Sequence, residues 1–271
     1  MGLGRWLPLV RLMSVSSSKE CGFRLRVALV RHGESMNNVH EAVSHAAYRA
    51  NRSADPDLSP RGREQAVVLG RWLASAEKAS SLGLHPVTEL VVSPVRRTLL
   101  TMAPLARELG MRARVDCELF EAGGIYEANA EYTVFEGRGG MTRAEMQEAH
   151  PTYVLPEEVG VDGWYKGVTK ESDDECRERA ARVIQRVKER ARTLRQDEQI
   201  VLVVHYDFIN ACLDALLLPH AKGPFDRWKV YNTAITVVDL DANGEPSIVA
   251  FNAIPHILHA DNASLVSGFP L

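Results

Sequence analysis

The chain has 271 residues, 45% of them hydrophobic and 25% charged, with a formal net charge of −3 and a pI near 6.3. That is ordinary globular composition, long enough for one large α/β domain without disulfide or metal staples. It excludes a generally basic nucleic-acid binder, a protein held by charge on an acidic membrane, and any apolar run near the ~20 residues of a membrane span, so an anion site must be a local basic pocket.

Met1 to Lys19 carries Arg5, Arg11 and Lys19, no acid, and the serines Ser14, Ser16, Ser17 and Ser18. That composition suits a mitochondrial transit segment, or equally a loosely docked extension. Met1-Gly2 fails the myristoylation pattern because Trp6 stands where Ser or Thr is needed. Residues 1–22 are therefore read as an extension and 23–271 as a single domain, intracellular and cytoplasmic unless the extension directs it to mitochondria. Cys21, Cys117, Cys176 and Cys212 are far apart and form no C-x-x-C pair, which argues against a zinc ribbon or a secreted disulfide framework.

Val27-Ala28-Leu29-Val30 reads as a buried parallel strand, ending in Arg31-His32-Gly33. The polar residues then fall where open α/β sheets place their ligands. An arginine grips a phosphate with a two-pronged fork, and a histidine nitrogen can attack phosphorus and carry the phosphoryl group. A strand end with an exposed basic loop is the plainer alternative. A polar loop is expected from Asn37 to Asp57, holding His40, His45, Tyr48 and Arg52. Ser59-Pro60 opens a helix whose stripe is Ala66, Leu69, Leu73 and Ala76.

Glu89 to Val92 is a second strand, followed by Ser93-Pro94-Val95-Arg96-Arg97-Thr98. The next helix has Leu99, Met102, Ala106 and Leu109 on one face, Pro104 to kink or loosen it and Gly110 to stop it. Arg112 to Val115 is a short third strand, leading to Leu119-Phe120-Glu121. From about 124 to 170 the alternation breaks, apart from one short helix behind the capping box Thr142-Arg143-Ala144-Glu145. An insertion of this length reads as a lid, with Trp164 and Tyr165 as an apolar wall or as anchors onto the body.

Ser172-Asp173-Asp174-Glu175 caps another helix, Ile200 to Val204 is a fourth strand ending in His205, and Asp207 opens a buried helix. Ala234 to Leu240 and Ser247 to Phe251 read as a hairpin. The tail from Asn252 has no clear period, and His256 and His259 are expected on a surface tail, without metal partners. The alternation implies a three-layer α/β sandwich with a mostly parallel central sheet flanked by helices.

In a parallel sheet the four strand ends share one edge, which would bring Arg31, His32, Arg97, Glu121 and His205 together. A transferring phosphoryl group carries its charge on its equatorial oxygens, so catalysis is positioning and electrostatics. Arg31 and Arg97 would clamp those oxygens, Asn38 would donate amide protons, and a protonated His205 would add another donor. His32 must be neutral at its attacking nitrogen. Glu121 would protonate the leaving oxygen and then draw a proton from water. No metal or cofactor is needed, because the arginines supply the charge.

Arg31-His32-Gly33-Glu34-Ser35, with Asn38 following, resembles the signature of the histidine phosphatase superfamily, the phosphoglycerate mutase-like fold. Ser93 to Thr98 is similar to its second motif, Leu119-Phe120-Glu121 to its acid motif, Val203-Val204-His205 to its second histidine, and Asp57 to Ala66 to its first helix start. The resemblance runs from about Arg24 to Leu240. It implies a phosphohistidine on His32 and a pocket of Arg31, Asn38, Arg97 and His205, with Asn38 preferred to Asn37 by the family spacing. Two departures stand out: Tyr206 replaces the usual glycine after the second histidine, and the Phe-Thr-Gly-Trp stretch of cofactor-dependent mutases is missing. The implied activity is metal-independent hydrolysis of a phosphate monoester, with mutase-type transfer or a non-catalytic phosphate-binding module as alternatives. The expected partner is a small phosphorylated substrate, then a phosphoprotein, and neither nucleic acid nor membrane; oligomeric state is left open.

Overall fold

A computed structural model of the protein describes residues 22–260 and 262–268. The segment with transit-like composition lies outside those residues. Strand β1 (Leu25–Arg31) is buried at every position, as a continuous apolar run should be in the middle of a sheet. Where a polar loop was expected, two short helices follow, α1 (Met36–Val43) and α2 (His45–Asn51). Serine caps start both. Ser35 Oγ accepts from the Asn38 N–H while Asn38 Oδ1 accepts from the Ser35 N–H, and Ser44 Oγ accepts from the Ala47 N–H. Neither helix buries a residue; in α1 Met36, Val39 and Val43 fall at i, i+3 and i+7, a stripe too short to mark a helix on its own.

Next come α3 (Pro60–Ala74), α4 (Ala76–Ser80), β2 (Glu89–Val92), α5 (Arg96–Leu109) and β3 (Ala113–Val115). Ser59 caps α3, and Gly110, left-handed at φ 63°, ends α5. Helix α5 continues through Pro104. It is crowded there by α3, because a Cβ on Gly70 would lie 2.8 Å from the Leu105 nitrogen and 3.0 Å from the Pro104 carbonyl carbon. Gly70→Val should therefore destabilise the fold by about 1–3 kcal/mol through overpacking. An unchanged urea midpoint would show that the two helices tolerate a wider separation.

The segment 124–170 holds a two-stranded ribbon, β4 (Tyr126–Ala128) with β5 (Phe135–Gly137), and the expected helix α6 (Arg143–Ala149) behind the Thr142–Glu145 capping box. Met141, Met146, Tyr153, Val159, Trp164 and Tyr165 sit in the core. Trp164 and Tyr165 pack on Phe120, with ring centroids 5.5 and 5.4 Å away. These two are anchors onto the body and do not line the cavity described below.

The chain closes with α7 (Asp173–Thr193), β6 (Glu198–Val204), α8 (Tyr206–Leu217), the hairpin β7 (Ile235–Leu240) and β8 (Pro246–Ala253), α9 (Pro255–His259) and a 3-10 turn at Ala263–Leu265. The central sheet has the order β3-β2-β6-β1-β7-β8. The first four strands are parallel, and β7 pairs antiparallel with both β1 and β8. Alternation along β1 sends Ala28 and Val30 to a core with Leu69, Leu73, Leu99 and Met102 from α3 and α5. Val27 and Leu29 go to the opposite core with Val183, Ile184, Phe208 and Leu213 from α7 and α8. The result is the expected three-layer sandwich.

The tail is not a surface tail. His256 is 1% exposed, its Nε2 lies 2.9 Å from Thr233 Oγ1, and burial pushes its imidazole down to about 3. His259 is exposed. No helix among the described residues is long and apolar enough to cross a membrane.

Candidate active site

The carboxyl ends of β1, β6 and β2 are adjacent, so their following residues meet above the sheet. His32 comes directly after β1 and is buried. Its N–H donates to Val204 O at 2.9 Å, and its carbonyl accepts from Asn232 Nδ2 at 3.0 Å and from the Thr233 N–H at 3.3 Å. Thr233 holds φ 58°, a strained conformation for a β-branched residue that the site imposes. Gly33 is required by close approach: a Cβ there would lie 2.6 Å from Gly62 O at the start of α3.

His32 Nδ1 lies 2.7 Å from Gly33 O. A carbonyl only accepts, so Nδ1 carries the proton and Nε2 holds the lone pair. Arg97 Nε donates to that Nε2 at 3.0 Å. Burial first, then the charges of Arg97 and Arg31, hold the imidazole well below its ordinary value. His32 is thus neutral, and Nε2 is the nitrogen that carries the lone pair, held toward Arg97.

Arg31 and Arg97 are both drawn in beside it. Arg31 Nη1 donates to Val230 O at 2.7 Å and to Gly268 O at 2.6 Å, so the chain's last described residues brace this side chain. Its Nε is buried without a partner. The guanidinium lies 4.8 Å from the centroid of the Tyr206 ring, which places the ring that replaces the family's glycine over an arginine. His205 follows β6, its ring 5.3 Å from that of His32. Its Nε2 lies 2.7 Å from Ser93 Oγ, and its Nδ1 is buried and unpartnered. A protonated His205 was expected, but burial and then Arg97 hold it well below its ordinary value. Two guanidinium groups at hand repel a third positive charge until an anion enters.

Asn37 and Asn38 both line the cavity. Asn37 is engaged at both ends by Ser53, donating at 2.9 Å and accepting at 3.0 Å. Asn38 commits only its oxygen, to Ser35 at the start of α1, which leaves its amide nitrogen for the cavity.

Glu121 lies beyond β3 and reaches the start of α8, where its Oε1 accepts from Phe208 N–H at 3.1 Å and from its neighbour Ala122 N–H at 2.9 Å. Burial pushes its carboxyl up against the opposing pull of Arg97. Asp207, which sequence reasoning left as a mere helix start, lines the same cavity. Burial and then Glu121 push it well above the usual carboxylate range. Two carboxyl groups so placed share protons more readily than they ionise together. The cavity is about 560 Å³ and takes in Arg31, His32, Asn38, Arg97, Glu121 and Asp207. His205 closes its floor: donor atoms of His32, Glu121 and His205 lie within 4.8 Å of one another.

One pair holds the acid in place. Arg179 of α7 binds Glu171 bidentately at 2.8 and 2.7 Å, and its Nη1 donates to the carbonyls of Glu118 at 2.7 Å and Phe120 at 3.0 Å. Its guanidinium also covers the Phe120 and Phe208 rings at 3.5 and 4.5 Å. The two side chains are 3% and 9% exposed, so Glu171→Ala leaves a buried cation alone. It should cost about 3–5 kcal/mol, and it should lower activity by releasing the backbone just before Glu121. Thermal melting with parallel kinetics checks this; a wild-type melting temperature would show that the pair contributes little.

Ser93, Asn232 and Gly268, like Asp207, support the site without having been assigned a role in it from sequence. Ser93 alone was traceable, because it stands directly past β2.

A family model for the histidine phosphatase superfamily (branch 1) matches residues 27–254. No curated protein sequence matches the chain. Among solved structures, a mycobacterial glucosyl-3-phosphoglycerate phosphatase complexed with VO3 is similar at 22% identity and TM-score 0.52, over 84% of this chain and 99% of that one. A phosphoserine phosphatase from Entamoeba histolytica, in complex with 3-phosphoglyceric acid, is similar at 18% identity and TM-score 0.52, over 86% and 99%. An open reading frame product of Mycobacterium tuberculosis is similar at 20% identity and TM-score 0.51, over 84% and 96%. At such identities the likeness is one of fold. The family match, spanning the chain from β1 past the end of β8, carries the assignment: the protein belongs to the histidine phosphatase superfamily, branch 1.

Proposed function

We propose that the protein is a phosphatase that hydrolyses a small phosphate monoester through a phosphohistidine on His32. The observation that carries this reading is the neutral His32 Nε2, of fixed tautomer, facing Arg97 at 3.0 Å. Two further groups in the same floor, Arg31 Nε and His205 Nδ1, are buried and unpartnered. An unpaired buried donor is costly by about 1–3 kcal/mol, and phosphate oxygens would satisfy both.

His32 Nε2 attacks phosphorus as the ester P–O bond breaks, and Glu121 delivers its proton to the leaving oxygen. Glu121, now a carboxylate, takes a proton from water, whose oxygen attacks the phosphohistidine. The P–N bond breaks, phosphate leaves and His32 is regenerated. Arg31, Arg97, Asn38 and the anion-facing His205 hold the equatorial oxygens throughout. His32, Glu121 and His205 are close enough to suggest metal ligands, but two flanking guanidinium groups favour an anion there. Residues of the segment 124–170, Tyr126 and Lys170 among them, line the cavity and would shape the mouth that a substrate enters.

The test is phosphate release from a panel of phosphate esters with a chelator present, together with trapping of an acid-labile, base-stable phosphoenzyme. Isomerised ester in place of free phosphate would point to a mutase instead. Release abolished by the chelator would overturn the metal-independent scheme.

A further inference from the structure

The buried imidazole of His256 lies outside the cavity, yet it faces the residue that pins the backbone of the nucleophile. The Thr233 hydroxyl donates to Asn232 O at 2.7 Å, because a carbonyl only accepts. Its contact with His256 Nε2 at 2.9 Å therefore runs the other way, and Nε2 carries the proton. Burial pushes the imidazole down to about 3, so the ring is neutral at neutral pH. Its Nδ1 then keeps a lone pair, buried without a partner. Donation to Thr233 is the directed interaction that this side chain offers.

Thr233 acts on the site through its backbone. Its N–H is shared between Arg31 O at 3.1 Å and His32 O at 3.3 Å, and Asn232 Nδ2 donates to the same His32 oxygen at 3.0 Å. At the other end of that peptide unit, the Gly33 N–H donates to Thr101 Oγ1 at 3.0 Å. The unit joining His32 to Gly33 is thus fixed at both ends, and Gly33 O in turn holds His32 Nδ1 at 2.7 Å. Thr233 reaches the two carbonyls with φ at 58°, a conformation that a β-branched residue keeps only when its surroundings hold it. The hold comes from α9, which is anchored by Ile257, 1% exposed, and delivers His256 onto the Thr233 hydroxyl.

We infer that His256 is a positioning residue for phosphoryl transfer: through Thr233 it holds the backbone of Arg31 and His32, and with it the aim of His32 Nε2 at the ester phosphorus. This rests on the phosphatase reading above and adds a residue to it. Misplacing a reacting atom by about 1 Å costs about 10²-fold in rate. The grip on phosphate is secured separately, because Arg31 Nη1 is tied to Val230 O and Gly268 O. Loss of the His256 donor should therefore fall on kcat and spare phosphate binding.

His256→Leu, close in volume but without a donor, should lower kcat for phosphate release by about 10- to 100-fold, while inorganic phosphate inhibits almost as well as in the wild type. His256→Gln, whose amide nitrogen can reach the same oxygen, should recover most of the rate. Thr233→Val removes the acceptor and should reproduce the loss. Adding it to His256→Leu should cost little more, as expected for two halves of one interaction. Thr233→Val also serves as the test should His256→Leu melt early. Wild-type kcat in both His256→Leu and Thr233→Val would overturn the role. Equal losses in the leucine and glutamine variants, with additive effects at the two positions, would reduce His256 to packing and overturn it as well. Imidazole nitrogen NMR of His32, assigned by its absence from His32→Ala, gives a readout that needs no turnover. The wild type should show one tautomer, protonated at Nδ1, and His256→Leu a mixture. That change without phosphate release from any ester supports the positioning role and removes the phosphatase reading. Release by the wild type, with kcat and the His32 spectrum unaltered in the variants, does the reverse.

Discussion

Replacing His32 by alanine should lower phosphate release by roughly 10⁴-fold or more, the scale on which removal of a covalent nucleophile acts. The loss should fall on kcat. Arg31, Arg97 and His205 remain to hold the phosphate, and Arg97 is freed from its 3.0 Å bond to His32 Nε2, so the ester should bind as well or better. The same variant should trap no phosphoenzyme. In the wild type, labelled ester quenched in alkali should place the label on the peptide containing His32. His205 is the competing acceptor: its Nε2 is engaged by Ser93 Oγ at 2.7 Å, so its unpartnered Nδ1 is the atom that would compete with His32 Nε2, whose tautomer Gly33 fixes beside Arg97. Label on the His205 peptide, or substantial release by His32→Ala, would defeat the assignment.

The parts of this site legible in the sequence are those where one strand end carries one reactive type. Arg31, His32 and His205 stand within one residue of β1 or β6, so strand register alone delivers them. Arg97 was equally exposed to reading, because α5 begins at Arg96, immediately past β2 and its turn. Glu121 was harder, since five residues separate it from the end of β3. Its placement depends on Arg179, more than fifty residues later, clamping the Glu118 and Phe120 carbonyls. Helices α1 and α2 were hidden because they are only eight and seven residues long and bury nothing, too short a window for periodicity to reveal a helix. Their only marks are the caps Ser35 and Ser44, and the Asn38 that closes the first cap stands where Glu or Gln is usual. The tail was hidden for the opposite reason. Gly268 reaches Arg31 through a backbone carbonyl, and a carbonyl has no residue type to read. The neutral state of His205 in the empty pocket was not legible, because charge balance in a closed pocket depends on how many cations converge there, which no single strand shows.

Glu121→Gln should lower kcat for an alkyl phosphate by about 10²- to 10⁴-fold, the usual contribution of a positioned general acid. Glutamine preserves the shape and can still accept from the Ala122 and Phe208 N–H groups, so what is lost is the transferable proton. An aryl phosphate, whose leaving oxygen needs no proton, should lose far less, and that contrast separates acid catalysis from general damage. The pH profile carries the same signature. Burial raises the Glu121 carboxyl above its ordinary value of 4.5, so the acid form persists to higher pH than a free glutamate would allow. Activity toward the alkyl ester should therefore fall as pH rises through that raised value, and this limb should vanish in the glutamine variant. Stability supplies a control of opposite sign. A carboxyl whose folded pKa is raised favours the fold below its unfolded value and loses that favour as pH climbs, so at neutral pH the neutral glutamine should match or exceed the wild type in thermal melting. Lost activity in a protein that melts no earlier cannot be blamed on unfolding. Asp207 is the group that could take over, because burial and then Glu121 push it well above the usual carboxylate range. If Asp207→Asn rather than Glu121→Gln showed the leaving-group-dependent loss, the proton would belong to the residue at the start of α8, and Glu121 would serve only to keep it there.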